Sequence, residues 1–220
     1  MEHSDPEIRS DVVEALSRDS RVNSARITVV VEEGSVTLRG DAPTLYTAGV
    51  ARDLVACVPG IRSVRSELAV ARTADIPTDA DIRSHAEHIL GWNASIGARD
   101  VSVSVVGGRV QLEGEVDAYW QRSRAEALIL DIQGVVGVVN NLVVVPELIP
   151  GDQVIAGDVK SAITRCTCLE HDSITVEVDQ GLVTLSGYVP NWRSKQYTPR
   201  LAESILGVKG VIDHLVVQQA

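Results

Sequence analysis

The densest cluster of side chains able to do chemistry is Cys166-Thr167-Cys168-Leu169-Glu170-His171. Two thiolates and an imidazole suit a soft ion such as zinc or copper(I), and neighbouring thiols can also serve as a redox sensor. A structural zinc site takes four protein ligands, commonly from paired Cys-x-x-Cys motifs. Neither a fourth ligand nor such a pair accompanies this cluster, so unligated thiols are the expectation and Cys166, Cys168 and His171 stand as a weak metal candidate. His85 and His88 lie three apart on a helix face without further ligands, and His214 sits beside Leu215 in a strand. The odd count of three cysteines fits a reducing compartment. No nucleophile elbow, phosphate-binding glycine loop, dinucleotide fingerprint or zinc-protease helix motif occurs. Neither an enzyme nor a cofactor is expected.

A second pattern places aromatic rings beside cations. Tyr119 and Trp120 precede Arg122 and Arg124, Trp192 precedes Arg193 and Lys195, and Tyr46 is followed at some distance by Arg52. An amphipathic ring with one wet edge suits a lipid headgroup layer, where Lys or Arg meets phosphate. Helix N-termini add their own attraction for anions. The same rings could instead cover the hydrophobic edge of a sheet or join neighbouring modules.

The elements that must position these residues recur three times. Gly34-Ser35-Val36-Thr37-Leu38-Arg39-Gly40 returns as Gly108-Arg109-Val110-Gln111-Leu112-Glu113-Gly114 and as Gly181-Leu182-Val183-Thr184-Leu185-Ser186-Gly187. Before each stands an alternation of period two: Ile27, Val29, Val31; Val101, Val103, Val105; Ile174, Val176, Val178. That period marks a strand buried on one face. Gly60, Gly134 and Gly207 each lie 20 residues after the second glycine of their copy. A helix packed on a sheet explains so fixed a length, because one inserted residue would rotate every later side chain by about 100°.

Leu54, Leu128 and Leu201 align in that helix, with Val58, Ile132 and Ile205 four residues on. A shorter helix opens each copy, through Ile8, Val12 and Leu16, then Ile82, Ala86 and Leu90, then Ile155, Val159 and Ile163. Asp5 reads as the cap of the first, with Pro6 at its first helical position. Glycine in Glu33-Gly34, Gly107-Gly108 and Gln180-Gly181 supplies the positive φ of a tight hairpin. Each unit thus reads helix, strand, strand, helix, strand. The last strand follows a helical crossover and should run parallel to the second. Pro199 should shorten or kink the second helix of the third copy.

This order resembles the BON domain, a bacterial module named for osmotically inducible protein Y and nodulation-type proteins. The resemblance rests on the alternation, on Gly-x-Val-x-Leu-x-Gly and on Gly-Val-x-x-Val-x-Asn-x-Leu. The second copy fits best, through Gly134-Val135-Val136-Gly137-Val138-Val139-Asn140-Asn141-Leu142. Glu67 and His214 stand where it has Asn141. The resemblance implies an α+β protein of three tandem modules, at 5–71, 79–146 and 151–218, each a three-stranded mixed sheet covered by two helices. The structural motif residues are Gly34, Gly40, Gly60, Gly108, Gly114, Gly134, Gly181, Gly187 and Gly207. It further implies association with phospholipid or cell-envelope surfaces in a stress context; the candidate contact residues, from the aromatic–cation pattern, are Tyr119, Trp120, Arg122, Arg124, Trp192, Arg193 and Lys195. The competing expectation is a cytoplasmic scaffold that binds protein or a small ligand in its inter-module grooves.

Composition narrows the partners. The formal charge of −10 argues against nucleic acid. Residues 73–150 hold most of the excess, with 5 basic and 11 acidic side chains. Aromatics make up only 3% of the chain and Phe is missing, so aliphatic packing must carry stability. No run reaches the roughly 18 to 20 apolar residues of a membrane span. The polar start Met1-Glu2-His3-Ser4 lacks a secretory pattern, so a cytoplasmic chain, peripheral at most at the inner membrane face, is expected. A homo-oligomer is compatible with this sequence. Pro77 and Pro150 stiffen short linkers and favour a defined arrangement of modules.

Overall fold

A computed structural model of the chain describes residues 4–70, 77–93, 96, 101–165 and 174–218, the side chain of Trp192 excepted. The first repeat runs α1 (Asp5–Arg18), a 3-10 turn at Ser24–Arg26, β1 (Ile27–Glu32), β2 (Ser35–Ala42), α2 (Leu45–Ala56) and β3 (Ser63–Val70). The second runs α3 (Asp79–Trp92), β4 (Ser102–Val106), β5 (Arg109–Val116), α4 (Tyr119–Leu130) and β6 (Gly137–Val144). The third runs α5 (Asp152–Arg165), β7 (Ile174–Asp179), β8 (Leu182–Val189), α6 (Trp192–Glu203) and β9 (Gly210–Val217). Three separate sheets result, ordered β1-β2-β3, β4-β5-β6 and β7-β8-β9.

The crossover expectation holds: β2 pairs antiparallel with β1 and parallel with β3, and β8 does the same with β7 and β9. Period-two alternation turns one face of each sheet toward its helices. In the first repeat Val29, Val36 and Leu38 meet Ile8, Val12 and Leu16 of α1 and Val50, Ala51 and Val55 of α2. In the third, Val176, Val183 and Leu185 meet Ile155, Val159 and Ile163 of α5 and Ala202 of α6. Each valine, leucine or isoleucine among them contributes about 1.5–3 kcal/mol by leaving water. On the opposite face of the first sheet Arg39 and Glu67, register neighbours across β2 and β3, form an ion pair at 2.9 Å.

The described chain divides into two compact units. One comprises Met1–Ile89, Val103–Gln111 and Ala127–Val139, the other Leu90–Ser102, Leu112–Glu126 and Asn140–Ala220. The first contains the whole β1–β3 repeat, and the second the whole β7–β9 repeat.

The hairpins turn through consecutive positive φ values, 50° and 74° at Glu33-Gly34 and 49° and 82° at Gln180-Gly181. The glycine at the second position of each turn, Gly34, Gly108 or Gly181, is required by more than the turn. A Cβ on Gly108 would stand 2.7 Å from the Gly134 carbonyl oxygen, and one on Gly181 the same 2.7 Å from that of Gly207. The two glycines of each copy therefore meet where the parallel strand begins.

Three local expectations need correction. Ser4, not Asp5, caps α1, and its backbone N–H donates to the Glu7 carboxylate at 2.9 Å. Asp5 is instead drawn to the β1–β2 turn, where its two carboxylate oxygens accept the N–H groups of Glu33 and Gly34, each at 2.9 Å. Val58, Ile132 and Ile205 lie just past the helix ends. The chain tightens there, and their N–H groups bond three residues back, to Val55, Ile129 and Ala202. Cys57 is accordingly the C-cap of α2 and exposed. Finally, Pro199 does not shorten its helix: α6 spans 12 residues, as do α2 and α4. Thr198 and Ala202 are fully buried on either side of the proline, and the Thr198 hydroxyl donates to the Ser194 carbonyl at 2.8 Å. Packing thus outweighs a local preference of about 3 kcal/mol.

Candidate functional site

The aromatic–cation segments open α2, α4 and α6, and each opening is fastened by a side chain. Thr44 Oγ1 accepts the Thr47 N–H at 3.1 Å and Asn191 Oδ1 accepts the Ser194 N–H at 2.8 Å. The middle copy has Ala118 at this position, which cannot cap. There Gln121 reaches back, and its Oε1 accepts the N–H groups of Asp117 at 2.8 Å and Ala118 at 3.0 Å. Thr47, Gln121 and Ser194 occupy equivalent places and are all buried. The helix starts are therefore rigid platforms for whatever they display.

What they display differs from the sequence expectation in one respect. Arg122 turns inward: its guanidinium donates to the Asn140 carbonyl of β6 at 2.8 Å and lies 5.7 Å from the centre of the Tyr119 ring. Lys195, at the equivalent position of α6, likewise donates to the Leu215 carbonyl of β9 at 2.6 Å. Both cations tie a second helix to a third strand. Tyr119 is half-buried against the core of the third repeat. Trp120, by contrast, is 37% exposed, and Arg124 and Arg193 are exposed. Trp192 is the first residue of α6, but its side chain lies outside the described set. In the first repeat Tyr46 is 38% exposed and hydrogen-bonds Arg21, while Arg52 pairs with Asp53 at 3.3 Å.

The inward latch is completed by a residue the sequence reading passed over. Asn140, not Asn141, carries the polar role in the second copy. Its amide donates to the Arg122 carbonyl at 3.0 Å and to Glu126 at 3.1 Å, and its oxygen accepts the Leu142 N–H at 3.2 Å. Asp213 stands in its place in β9 and accepts the Leu215 N–H at 2.8 Å. Asn141 is exposed, as are Glu67 and His214. The asparagine of the recurring motif was the available signal.

Polar contacts also join successive repeats within the compact units. The Thr44 hydroxyl reaches the Asp131 carboxylate at 3.3 Å. Glu203 of α6 is hydrogen-bonded by Ser123 of α4, and burial pushes its carboxyl above the usual range, with Glu126 adding to the rise and Ser123 and Arg200 opposing it.

A half-open groove of 670 Å³ lies between α3 and the C-terminal part of α4, in a region where no function was expected. Ile82, Ile89, Leu128 and Ile132 line it together with Asp81, His85 and Asp131. Among the described residues no group of three or more His, Cys, Asp or Glu could hold a metal ion. Cys166, Cys168 and His171 lie outside the described residues. No helix among the described residues is long and apolar enough to cross a membrane.

A family model for the BON domain matches residues 4–72, 78–146 and 151–219. The chain belongs to the BON family. It is 30% identical over 147 residues to osmotically-inducible protein Y of Escherichia coli, covering 63% of this chain and 71% of that protein. It is also 29% identical over 124 residues to a 21 kDa hemolysin of Actinobacillus pleuropneumoniae, covering 54% of this chain and 63% of the relative. The chain therefore spans slightly less than two thirds of that second BON protein. A solved structure of CdsD, a structural protein of the type III secretion system of Chlamydia trachomatis, covers 96% of this chain and 92% of its own at 13% identity. Its TM-score of 0.28 is too low to bear on the BON fold.

Proposed function

We propose that this BON protein is a non-enzymatic binding module that associates peripherally with phospholipid or cell-envelope surfaces under osmotic-type stress. The observation that carries this reading is the presence of three BON matches spanning the described repeats, together with a relative named for osmotic induction. The exposed start of α4 supports a contact of that kind. Trp120 offers an amphipathic ring with Arg124 one turn on, and a lipid interface accepts such a ring beside a cation. Arg193 supplies a similar charge at the start of α6. Arg122 and Lys195 each give one donor to a strand carbonyl, so in this proposal they border the patch and use their remaining donors there. The acidic net charge confines any attraction to a local patch within a screening length of about 8 Å.

Co-sedimentation with phosphatidylglycerol vesicles tests this. Binding should fall when Trp120 and Arg124 are changed to Ala and when salt is raised from 50 to about 500 mM, over which screening tightens several-fold. Failure to bind vesicles in any of these conditions would remove the lipid reading. Binding that ignores the substitutions would remove the patch at the start of α4.

A further inference from the structure

The groove between α3 and α4 has a chemistry opposite to that of the aromatic–cation ends. Ile89 and Leu128 are half-buried and offer apolar surface, while Ile82 and Ile132 are buried beneath. Asp81 and Asp131 are exposed carboxylates at its margins. Asp81 is held ionised by Thr78, whose hydroxyl and N–H donate to it at 2.6 and 2.9 Å and keep its carboxyl below the ordinary range. The nearby cation on α3 is already engaged, since Arg83 pairs with Glu87 at 3.4 Å. The surrounding repeat is the most acidic of the three.

This combination belongs to the middle copy alone. Ala15 and Ala162 stand where it has Ile89, and Cys57 and Ser204 where it has Asp131. Neither neighbour presents both the branched apolar side chain and the second carboxylate. Ile89 and Asp131 are thus not part of what the three copies share, although Asp131 also accepts the Thr44 hydroxyl at 3.3 Å.

We propose that the α3–α4 groove is a docking site for a cationic amphipathic helix of a partner protein, seating its aliphatic residues on Ile89 and Leu128 and its lysines or arginines against Asp81 and Asp131. Charge complementarity selects this occupant, because an anionic phospholipid or an acidic peptide would be repelled by both carboxylates. A groove of 670 Å³ is of the size that takes small ligands or a short run of side chains, and an amphipathic helix enters such a groove through residues at i, i+3 and i+4. The site is separate from the proposed lipid contact and does not rest on it.

The test uses the full chain and a fluorescently labelled 18-residue peptide of leucines at helical spacing with lysines on the flanks, read by anisotropy. Asp131→Asn and Ile89→Ser should each weaken binding about ten-fold, a change worth about 1.4 kcal/mol. Glu113→Gln with Glu115→Gln removes two exposed carboxylates from β5 and should leave binding unchanged. A peptide with glutamates in place of the lysines should not bind. Equal weakening by the β5 pair would mean that diffuse negative charge attracts the peptide, and would overturn the proposal. So would wild-type affinity in both groove variants, with circular dichroism confirming that they are folded. Vesicle binding by the groove variants should match the unaltered chain, so loss of the lipid reading and loss of this one are told apart.

Discussion

Replacing Asp152 with Ala should loosen the third repeat by about 2 kcal/mol. The two oxygens of this half-buried carboxylate accept the N–H groups of Gln180 at 2.9 Å and Gly181 at 3.0 Å, clamping the β7–β8 turn to the first residue of α5. A hydrogen bond to a charged acceptor contributes about 1.5–3 kcal/mol, and a buried donor left without one costs about 1–3 kcal/mol. Gln180 is exposed and its N–H can return to water, whereas Gly181 is buried, so one full penalty remains. For a chain of this size about 2 kcal/mol corresponds to a fall in melting temperature of roughly 4–8 °C. Asp152→Asn keeps one acceptor oxygen and should lose about half as much. Asp5 and Asp79 hold their own turns in the same way, Asp79 accepting from Gly107 and Gly108 at 2.8 Å each. Their Ala variants should therefore cost alike. Urea unfolding followed by far-UV circular dichroism measures these differences. A loss below about 0.5 kcal/mol in Asp152→Ala, the range of an ordinary surface change, would refute the clamp.

Glycine and carboxyl positions give two further expectations. Gly207→Ala should destabilise by at least about 2 kcal/mol, because it forces a side chain into φ 87° with its Cβ 2.6 Å from Pro150 Cδ. Gly157→Ala, in exposed helix with nothing within 4 Å, should instead stabilise by about 0.5–1 kcal/mol; thermal melts of the pair would contradict the packing if the signs agreed. Glu203 has a raised carboxyl pKa in the folded chain, so its contribution to stability is fully present below the unfolded value of about 4.3 and is lost as pH rises through the folded value. Glu203→Gln should accordingly melt higher than the unaltered chain at pH 8 and level with it near pH 4, and a gap independent of pH would count against burial as the cause.

The framework was readable because it is local and repeated. Glycines at Gly34 and Gly60 and at their counterparts bracket a fixed length, and alternation such as Val29–Val31 has only one strand meaning, so sheet order and the parallel third strand followed. The Asp5 clamp escaped for a different reason. An aspartate at a helix start has an adequate local role as a cap, and its true partners lie 28 and 29 residues on. Its recurrence as Asp79 and Asp152 was visible, and was the signal for a shared long-range duty. Arg122 and Lys195 escaped because a long cationic side chain reads the same whether it ends on a phosphate or on a strand carbonyl. Ile89 and Asp131 became conspicuous only when the fold placed α3 beside α4.

Triplication itself bears on where function can reside. The turn clamps, the paired glycines and the buried polar residues at the second-helix starts occur in every copy, so each repeat satisfies its own backbone and is free to vary elsewhere. Variation is found at exposed positions and differs in sense from copy to copy. The first sheet closes its open face with Arg39 and Glu67. In the third sheet the equivalent face carries Leu182, Tyr188 and Val216, all exposed, with Tyr188 and Val216 in register. The second repeat carries Trp120 with Arg124 on one helix end and Ile89 with Asp131 in a groove. A chain selected only to repeat one lipid contact three times would gain from keeping these surfaces alike, since avidity multiplies equivalent sites. Divergence of the surfaces over a common frame fits modules that serve different partners, as the proposed membrane contact and the proposed helix groove would require.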